Sequence, residues 1–276
     1  MNLFFVAVNY NNSKISIDFI KSILSLNCFN THNIEIIIID NKSKEDEIIL
    51  LESFITNLKT SYVTLIKSNE NIGYFKALNI GLNYIKDFNK DFVLIGNNDL
   101  KFDFDFLIKL ENLSINNNIF AIAPNIIKPD GTHQNPHIIS KFNILHNIYR
   151  RIYFTNYYIS ILCQIIYNII KPYLNPQNRV GHNINQNIFS GYGACYILTK
   201  FFFNNFTKLD APVFLMGEEL IFSNQIFSKN GLIYYDSTLI VYHIDHSSIG
   251  SITSKIIYQY SKDSYIYYRN NLNHIK

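Results

Sequence analysis

The chain has 276 residues, 48% apolar and 16% charged, enough apolar material for a sizeable core and too much for a disordered polymer. Its 24 basic and 21 acidic side chains leave a formal charge of +3 with no dense Lys/Arg run, which argues against nucleic acid as a partner. The three cysteines, Cys28, Cys163 and Cys195, lie far apart with no C-x-x-C pair and no zinc spacing, so a disulfide scaffold and a zinc module are both excluded. Met1 leads straight into the apolar run Leu3 to Val8, without a basic leader or small-residue cleavage site. The expected setting is the reducing cytoplasm.

In chain order, Leu3 to Val8, Ile34 to Ile39, Tyr62 to Ile66 and Phe92 to Ile95 are continuous apolar or β-branched runs of strand length, as strands covered on both faces should be. Between them, Ile15 to Leu26, Glu45 to Leu58 and Phe75 to Phe88 carry apolar residues at three and four spacings. That spacing predicts helices packed on a sheet. The order βαβαβαβ implies a parallel sheet with right-handed crossovers, whose ligands bind beyond the carboxyl ends of the strands.

The residues at those ends are polar: Asn9-Tyr10-Asn11, Asp40-Asn41-Lys42-Ser43, Ser68 to Gly73 and Gly96-Asn97-Asn98-Asp99. No G-x-G-x-x-G follows the first strand and no G-x-x-x-x-G-K-[ST] occurs, which disfavours a dinucleotide dehydrogenase and a P-loop enzyme. Asp99 supplies a hard oxygen for a divalent cation bridging a diphosphate, although Asn-Asn-Asp reads equally as a turn. Asp40, directly after Ile36 to Ile39, must find a partner or water.

Together these segments resemble the inverting glycosyltransferases of family 2, with the GT-A fold, and most closely their bacterial rhamnosyltransferase-like branch. The resemblance rests on Val6 to Asn11, on Ile39-Asp40-Asn41-Lys42-Ser43 as V-D-N-x-S, on Asn69 to Gly73 with Asn79-Ile80-Gly81 as N-x-G…N-x-G, and on Asn97-Asn98-Asp99 as the D-x-D variant. It continues through Pro124 to Gly131, similar to a P-x-x-x-x-x-G turn after a strand, Ser190 to Cys195, the acidic pair Glu218-Glu219, Val241-Tyr242-His243 and the closing Arg269-Asn270.

The resemblance implies an α/β GT-A fold over the whole chain: a mostly parallel central sheet flanked by helices, with a donor half (1–100), an acceptor half (101–250) and a C-terminal helical segment (251–276). It implies a nucleotide-sugar donor, UDP- or dTDP-linked, held by Asn9, Tyr10, Asp40, Asn71, Lys76, Asn97 and Asn98. Tyr10 would stack on the base and Asp40 accept from its ring imide. A Mn2+ or Mg2+ ion would sit on Asp99 and His243, Gly191 and Tyr192 would line the acceptor, and Glu219, assisted by Glu218, would be the general base. Asp245 and His246 are weaker candidates.

Read without the resemblance, Glu218 and Glu219 are a dipole-matched helix start and His243 is a packed residue. The pair is Glu-Glu where the family carries Glu-Asp, and the metal motif has one carboxylate. These departures keep open a catalytically inactive nucleotide-binding module of the same fold. The implied role is a transfer to a saccharide or lipid-linked acceptor in bacterial surface polysaccharide synthesis.

The segment from 142 to 174 is rich in Ile and Tyr and carries Arg150, Arg151 and Lys171, with no apolar run long enough to span a bilayer. It reads as a helical insertion that lies on the inner face of the cytoplasmic membrane, covers the acceptor site, or packs on the domain or on a second subunit of a dimer. Arg150 and Arg151 would meet anionic headgroups in the first of these.

Overall fold

The structure, a computed structural model, describes residues 1–86, 90–170, 181–244 and 254–271. Its first half is the expected alternation: β1 (Asn2–Asn9), α1 (Ser13–Leu24), β2 (Asn33–Asp40), α2 (Glu45–Leu58), β3 (Val63–Lys67), α3 (Tyr74–Tyr84) and β4 (Phe92–Asn97). Strands β3, β2, β1 and β4 lie side by side in that order, all parallel. Along β1, Leu3, Phe5 and Ala7 join one hydrophobic cluster, while Phe4 and Val6 join the other. Burial on both faces is why the strand reads as an unbroken apolar run. Helix α3, expected to reach Phe88, is described to Tyr84, and Phe88 lies outside the described residues.

The second half adds β5 (Leu100–Phe102), α4 (Phe106–Glu111), β6 (Ile119–Ile127), α5 (Ile144–Tyr153), α6 (Tyr157–Ile170), β7 (Gln186–Ile188), β8 (Cys195–Thr199), α7 (Lys200–Phe203), α8 (Glu218–Phe227), β9 (Leu232–His243) and α9 (Ser254–Asn270). The sheet continues β4-β8-β6-β9-β5, with β7 also on β9. Strand β8 runs antiparallel to both neighbours, whereas β6 and β9 are parallel to one another. Pro124, expected in a turn after a strand, lies inside β6. A register shift between Pro124 and Asn125 accommodates it, as a residue without an N–H requires in a sheet interior.

Among the described residues, no helix is long and apolar enough to cross a membrane, and the three cysteines are free. The insertion is two helices, α5 and α6, and its last residues, 171–174, lie outside the described residues. Arg150 turns inward rather than outward. Its guanidinium lies 4.8, 4.9 and 5.3 Å from the ring centres of Phe142, Tyr265 and Tyr268, because those rings offer a cation–π cage between α5 and α9. Arg151 is exposed.

Candidate active site

The carboxyl ends of β1, β2 and β4 meet in a closed polar network. Asn9 Nδ2 donates to Asp40 Oδ1 at 2.8 Å and to Ser43 Oγ at 3.2 Å, and Ser43 N–H donates to Asp40 Oδ2 at 3.0 Å. Ser16 Oγ donates to Asn9 Oδ1 at 2.8 Å, while Asn98 Nδ2 reaches Ser16 Oγ at 2.7 Å and Asn9 Oδ1 at 3.4 Å. Asp40 has thus found its partners inside the protein and is 1% exposed. Asn98 likewise faces β1 and α1. Tyr10, one residue beyond the network, is 38% exposed.

A second linkage joins the donor half to the acceptor half. Asn41 Nδ2 donates to Asn71 Oδ1 at 2.9 Å and Asn41 Oδ1 accepts from Ile72 N–H at 3.0 Å. The loop ends at Gly73, with φ +88°, where a Cβ would stand 2.2 Å from the carbonyl oxygen of Phe214. Only glycine allows that approach. Tyr74 N–H then donates to the same carbonyl at 3.1 Å, fixing α3 against the loop that leads to Glu218. Lys76 is exposed on the first turn of α3.

Asp99 and His243 come together although 144 positions separate them in sequence. Leu100 of β5 pairs with His243 of β9, so His243 Nε2 lies 3.1 Å from Asp99 Oδ1. Gln134 Oε1 is 2.7 Å from His243 Nδ1 and Asn97 Nδ2 is 3.4 Å from Nε2. With Nδ1–H donated to Gln134, the Nε2 lone pair faces the Asp99 carboxylate. Adjacent ligands on an octahedral divalent cation are about 3 Å apart, so the pair fits such an ion, and Gln134 sets the imidazole tautomer as an outer-shell partner does. Among the described residues no group of three or more His, Cys, Asp or Glu side chains could hold a metal. Asp245 and His246 lie outside the described residues.

Glu218 and Glu219 open α8 behind Gly217, whose φ is +80°. The helix dipole favours ionised carboxylates in a first turn, yet burial and the neighbouring Glu219 push Glu218 up to about 8. Desolvation therefore outweighs the dipole. Glu218 is 5% exposed, and its Oε1 has no hydrogen-bond partner among the described residues. Glu219 is also raised by burial, opposed by its own backbone N–H and then by that of Gly193. A Cβ at Gly193 would stand 2.7 Å from Glu219 Oε1. Backbone N–H groups oppose the rise at Glu218 as well, but there burial and the neighbouring carboxylate outweigh them.

Tyr192 sits beside the Asp99–His243 pair, and Gly193, next to it, lies against Glu219. The Tyr192 ring is 6.1 Å from that of His243, and its N–H donates to Asn135 Oδ1 at 2.8 Å. The Gly191 carbonyl accepts from Tyr196 OH at 2.7 Å. Sequence reading missed Tyr74 and Gln134, and took in Gly193 only as part of the segment Ser190 to Cys195. The Tyr74 phenol donates to the Gly193 carbonyl at 3.3 Å, and its pKa is driven well up by burial first and then by Glu218, Asp99 and Glu219. An aromatic residue behind a strand-end N-x-G turn was the available signal for Tyr74, whereas Gln134, in the loop after β6, had none.

Residues 5–187 match the family described as Glycosyl transferase family 2, and the chain belongs to that family. Among solved structures it is similar to GalNAc-T7 with UDP, GalNAc and Mn2+, at TM-score 0.66 and 12% identity over 98% of this chain and 48% of that one. Staphylococcus aureus TarS 1–349 with UDP-GlcNAc matches at TM-score 0.60 and 12% identity, over 100% of this chain and 66% of that one. The Pyrobaculum calidifontis mannosyltransferase PcManGT with GDP-Man and Mn2+ matches at TM-score 0.55 and 11% identity, over 99% and 72%. These likenesses show the GT-A fold, and the chain spans about half to two-thirds of the length of the first of them. None of the curated proteins compared with it matches.

Proposed function

We propose that this chain is an inverting, metal-dependent glycosyltransferase that moves a hexosyl or deoxyhexosyl unit from a UDP- or dTDP-sugar to a saccharide or lipid-linked acceptor in bacterial surface polysaccharide synthesis. The observation that carries the reading is that adjacent residues link two groups: the Tyr192 ring lies 6.1 Å from that of His243, itself 3.1 Å from Asp99, and Gly193 lies against Glu219 at the start of α8. Solved structures of this fold carry UDP, UDP-GlcNAc or GDP-Man, two of them with Mn2+, in keeping with a nucleotide-sugar donor.

In this reading the donor half holds the nucleotide. Tyr10 stacks on the base, the network around Asn9, Asp40 and Asn98 shapes the floor, and Asn71, Lys76 and Asn97 line the path to the diphosphate. Asp99 and His243 hold Mn2+ or Mg2+, which supplies positive charge for the leaving diphosphate. Gly191 and Tyr192 line the acceptor. Glu219 takes the acceptor hydroxyl proton while its oxygen attacks the anomeric carbon from the face opposite the diphosphate, so no covalent enzyme intermediate forms. Glu218, protonated near neutral pH, keeps a second negative charge away from Glu219.

The test is turnover of a panel of UDP- and dTDP-sugars with manganese and with excess chelator, with the anomeric configuration of the product read by NMR. Manganese-dependent turnover with inversion is expected, abolished in Asp99→Ala and reduced less in His243→Ala. Full activity in chelator would refute the metal role. Nucleotide binding without any turnover would favour an inactive module.

A further inference from the structure

Helices α5 and α6 are the least covered part of the described structure. No side chain of α5 is fully buried, and in α6 only Ser160 is. More than half of the exposed large apolar side chains among the described residues fall between 144 and 170. On α5 the exposed Ile144, Leu145 and Ile148 follow helical spacing, as do Leu162, Ile166 and Ile169 on α6. Leu145 is 76% exposed and Ile169 64%. An apolar surface of this kind marks an interaction site rather than scattered surface residues.

The inner sides of the two helices are already engaged. Phe154 stacks on Tyr265 of α9 at 4.6 Å, Tyr157 meets Tyr258 at 5.5 Å, and Lys262 Nζ donates to the Thr155 carbonyl at 3.0 Å. The Arg150 cage closes the same seam. The exposed apolar residues therefore point away from the body.

Charge identifies what would cover them. From Gly131 through Leu209 the sequence contains no Asp or Glu, although Lys141, Arg150, Arg151 and Lys171 fall within that stretch. Of these, Lys141 is exposed just before α5 and Arg151 is exposed on its last turn. A second copy docked face to face across a two-fold axis would set these cations against their own equivalents, with no acid in the segment to pair them. A surface of anionic lipid suits every feature: Ile and Leu enter the acyl boundary, Tyr149, Tyr158 and Tyr167 suit the headgroup level, and Lys and Arg meet phosphate.

We propose that α5 and α6 form an interfacial anchor that seats the chain on an anionic lipid surface. The anchor lies one helix from the glutamates, because α9 touches it on one side and on the other holds the loop before α8 through the hydrogen bond from Ser264 Oγ to the Met216 carbonyl. Seating the anchor brings the acceptor end of the site toward the lipid.

Sedimentation of the full chain with vesicles tests this without reference to turnover, so its failure is separable from failure of the enzymatic reading. Binding to phosphatidylcholine vesicles containing phosphatidylglycerol is expected, with much weaker binding to phosphatidylcholine alone and a loss at high salt. The double variant Leu145→Glu, Ile169→Glu changes only exposed positions and should weaken binding by about tenfold or more. Arg151→Glu should weaken it by a smaller factor, and Ile49→Glu, on exposed α2, should leave it unchanged. Equal binding to neutral and anionic vesicles would overturn the proposal. So would absence of vesicle binding with a dimer, seen by analytical ultracentrifugation, that Leu145→Glu, Ile169→Glu dissociates.

Discussion

The two ends of the site solve the problem of buried polar groups in opposite ways. At the donor end, Asn9, Ser16, Asp40, Ser43 and Asn98 satisfy one another through bonds of 2.7 to 3.4 Å. At the acceptor end, Glu218 is buried with Oε1 unpartnered and its pKa pushed to about 8. A satisfied network rigidifies and positions. A desolvated pair of acids stores proton affinity at the expense of stability. On the proposed reading the donor end is built for shape and the acceptor end for proton transfer, and substitutions at the two ends should fail in different ways.

The largest expected effect is at Glu219. Glu219→Gln keeps the size and the Gly193 contact but removes basicity, so turnover should fall by roughly 10² to 10⁴ while donor affinity stays nearly constant. Glu218→Gln should cost less. Dead Glu218→Gln beside near-native Glu219→Gln would reverse the two roles, and two active variants would remove both glutamates from the chemistry.

Next comes stability at the same pair, where the sign is opposite to that of an ordinary acidic residue. Glu218 is raised in the folded state, so between about 4.5 and about 8 the folded protein holds a proton that the unfolded chain has released. Stability from this group is fully present below the unfolded value and is lost as pH rises through the folded one. Glu218→Gln is permanently neutral and should not share that loss. Its melting temperature should match wild type near pH 4 and rise above it by several degrees near pH 8, since a tenfold difference in proton affinity between the folded and unfolded chains corresponds to about 1.4 kcal/mol. A variant no more stable than wild type at pH 8 would mean that Glu218 is ionised and solvated.

How much of this was legible follows the same division. The donor half was, because β1, β2 and β4 are buried on both faces and show as apolar runs, and the polar residues that end them form the network at their carboxyl ends. The acceptor half was less so. Strand β8 inserts antiparallel between β4 and β6, and nothing local in Cys195 to Thr199 announces its neighbours. Pro124 sits within β6 only because the register shifts beside it. Gln134 orients His243 from a loop 109 positions away in sequence. The expected base-reading role of Asp40 came from the family resemblance, and its place after a strand showed only that it needed a partner; those partners, Asn9 and Ser43, are visible only in three dimensions.

Asp40 therefore offers a sharper test of the donor end. Asp40→Asn removes the charged acceptor of the Ser43 N–H and should lower stability by about 1 to 3 kcal/mol, read from chemical denaturation. Weakened binding of nucleoside diphosphate should accompany that loss, because the floor under Tyr10 loosens. If stability is unchanged and calorimetric affinity alone falls, Asp40 reads the base directly and is not a scaffold residue.

The smallest effect is expected at Asn98, and it separates neighbours in one tripeptide. Asn97 approaches His243 at 3.4 Å, and Asp99 does so at 3.1 Å, whereas the Asn98 amide turns to Ser16 and Asn9 on the other side of the strand end. Asn98→Ala should therefore cost only about 1 kcal/mol of stability, the ordinary worth of a neutral hydrogen bond, offset in part because Ser16 Oγ keeps Asn9 as an acceptor. The manganese concentration that gives half-maximal turnover should not move. Asp99→Ala, one residue on, should abolish that dependence altogether. A shift in manganese dependence in Asn98→Ala at unchanged stability would place this amide on the cation side and break the division between a donor end built for shape and a centre built for charge.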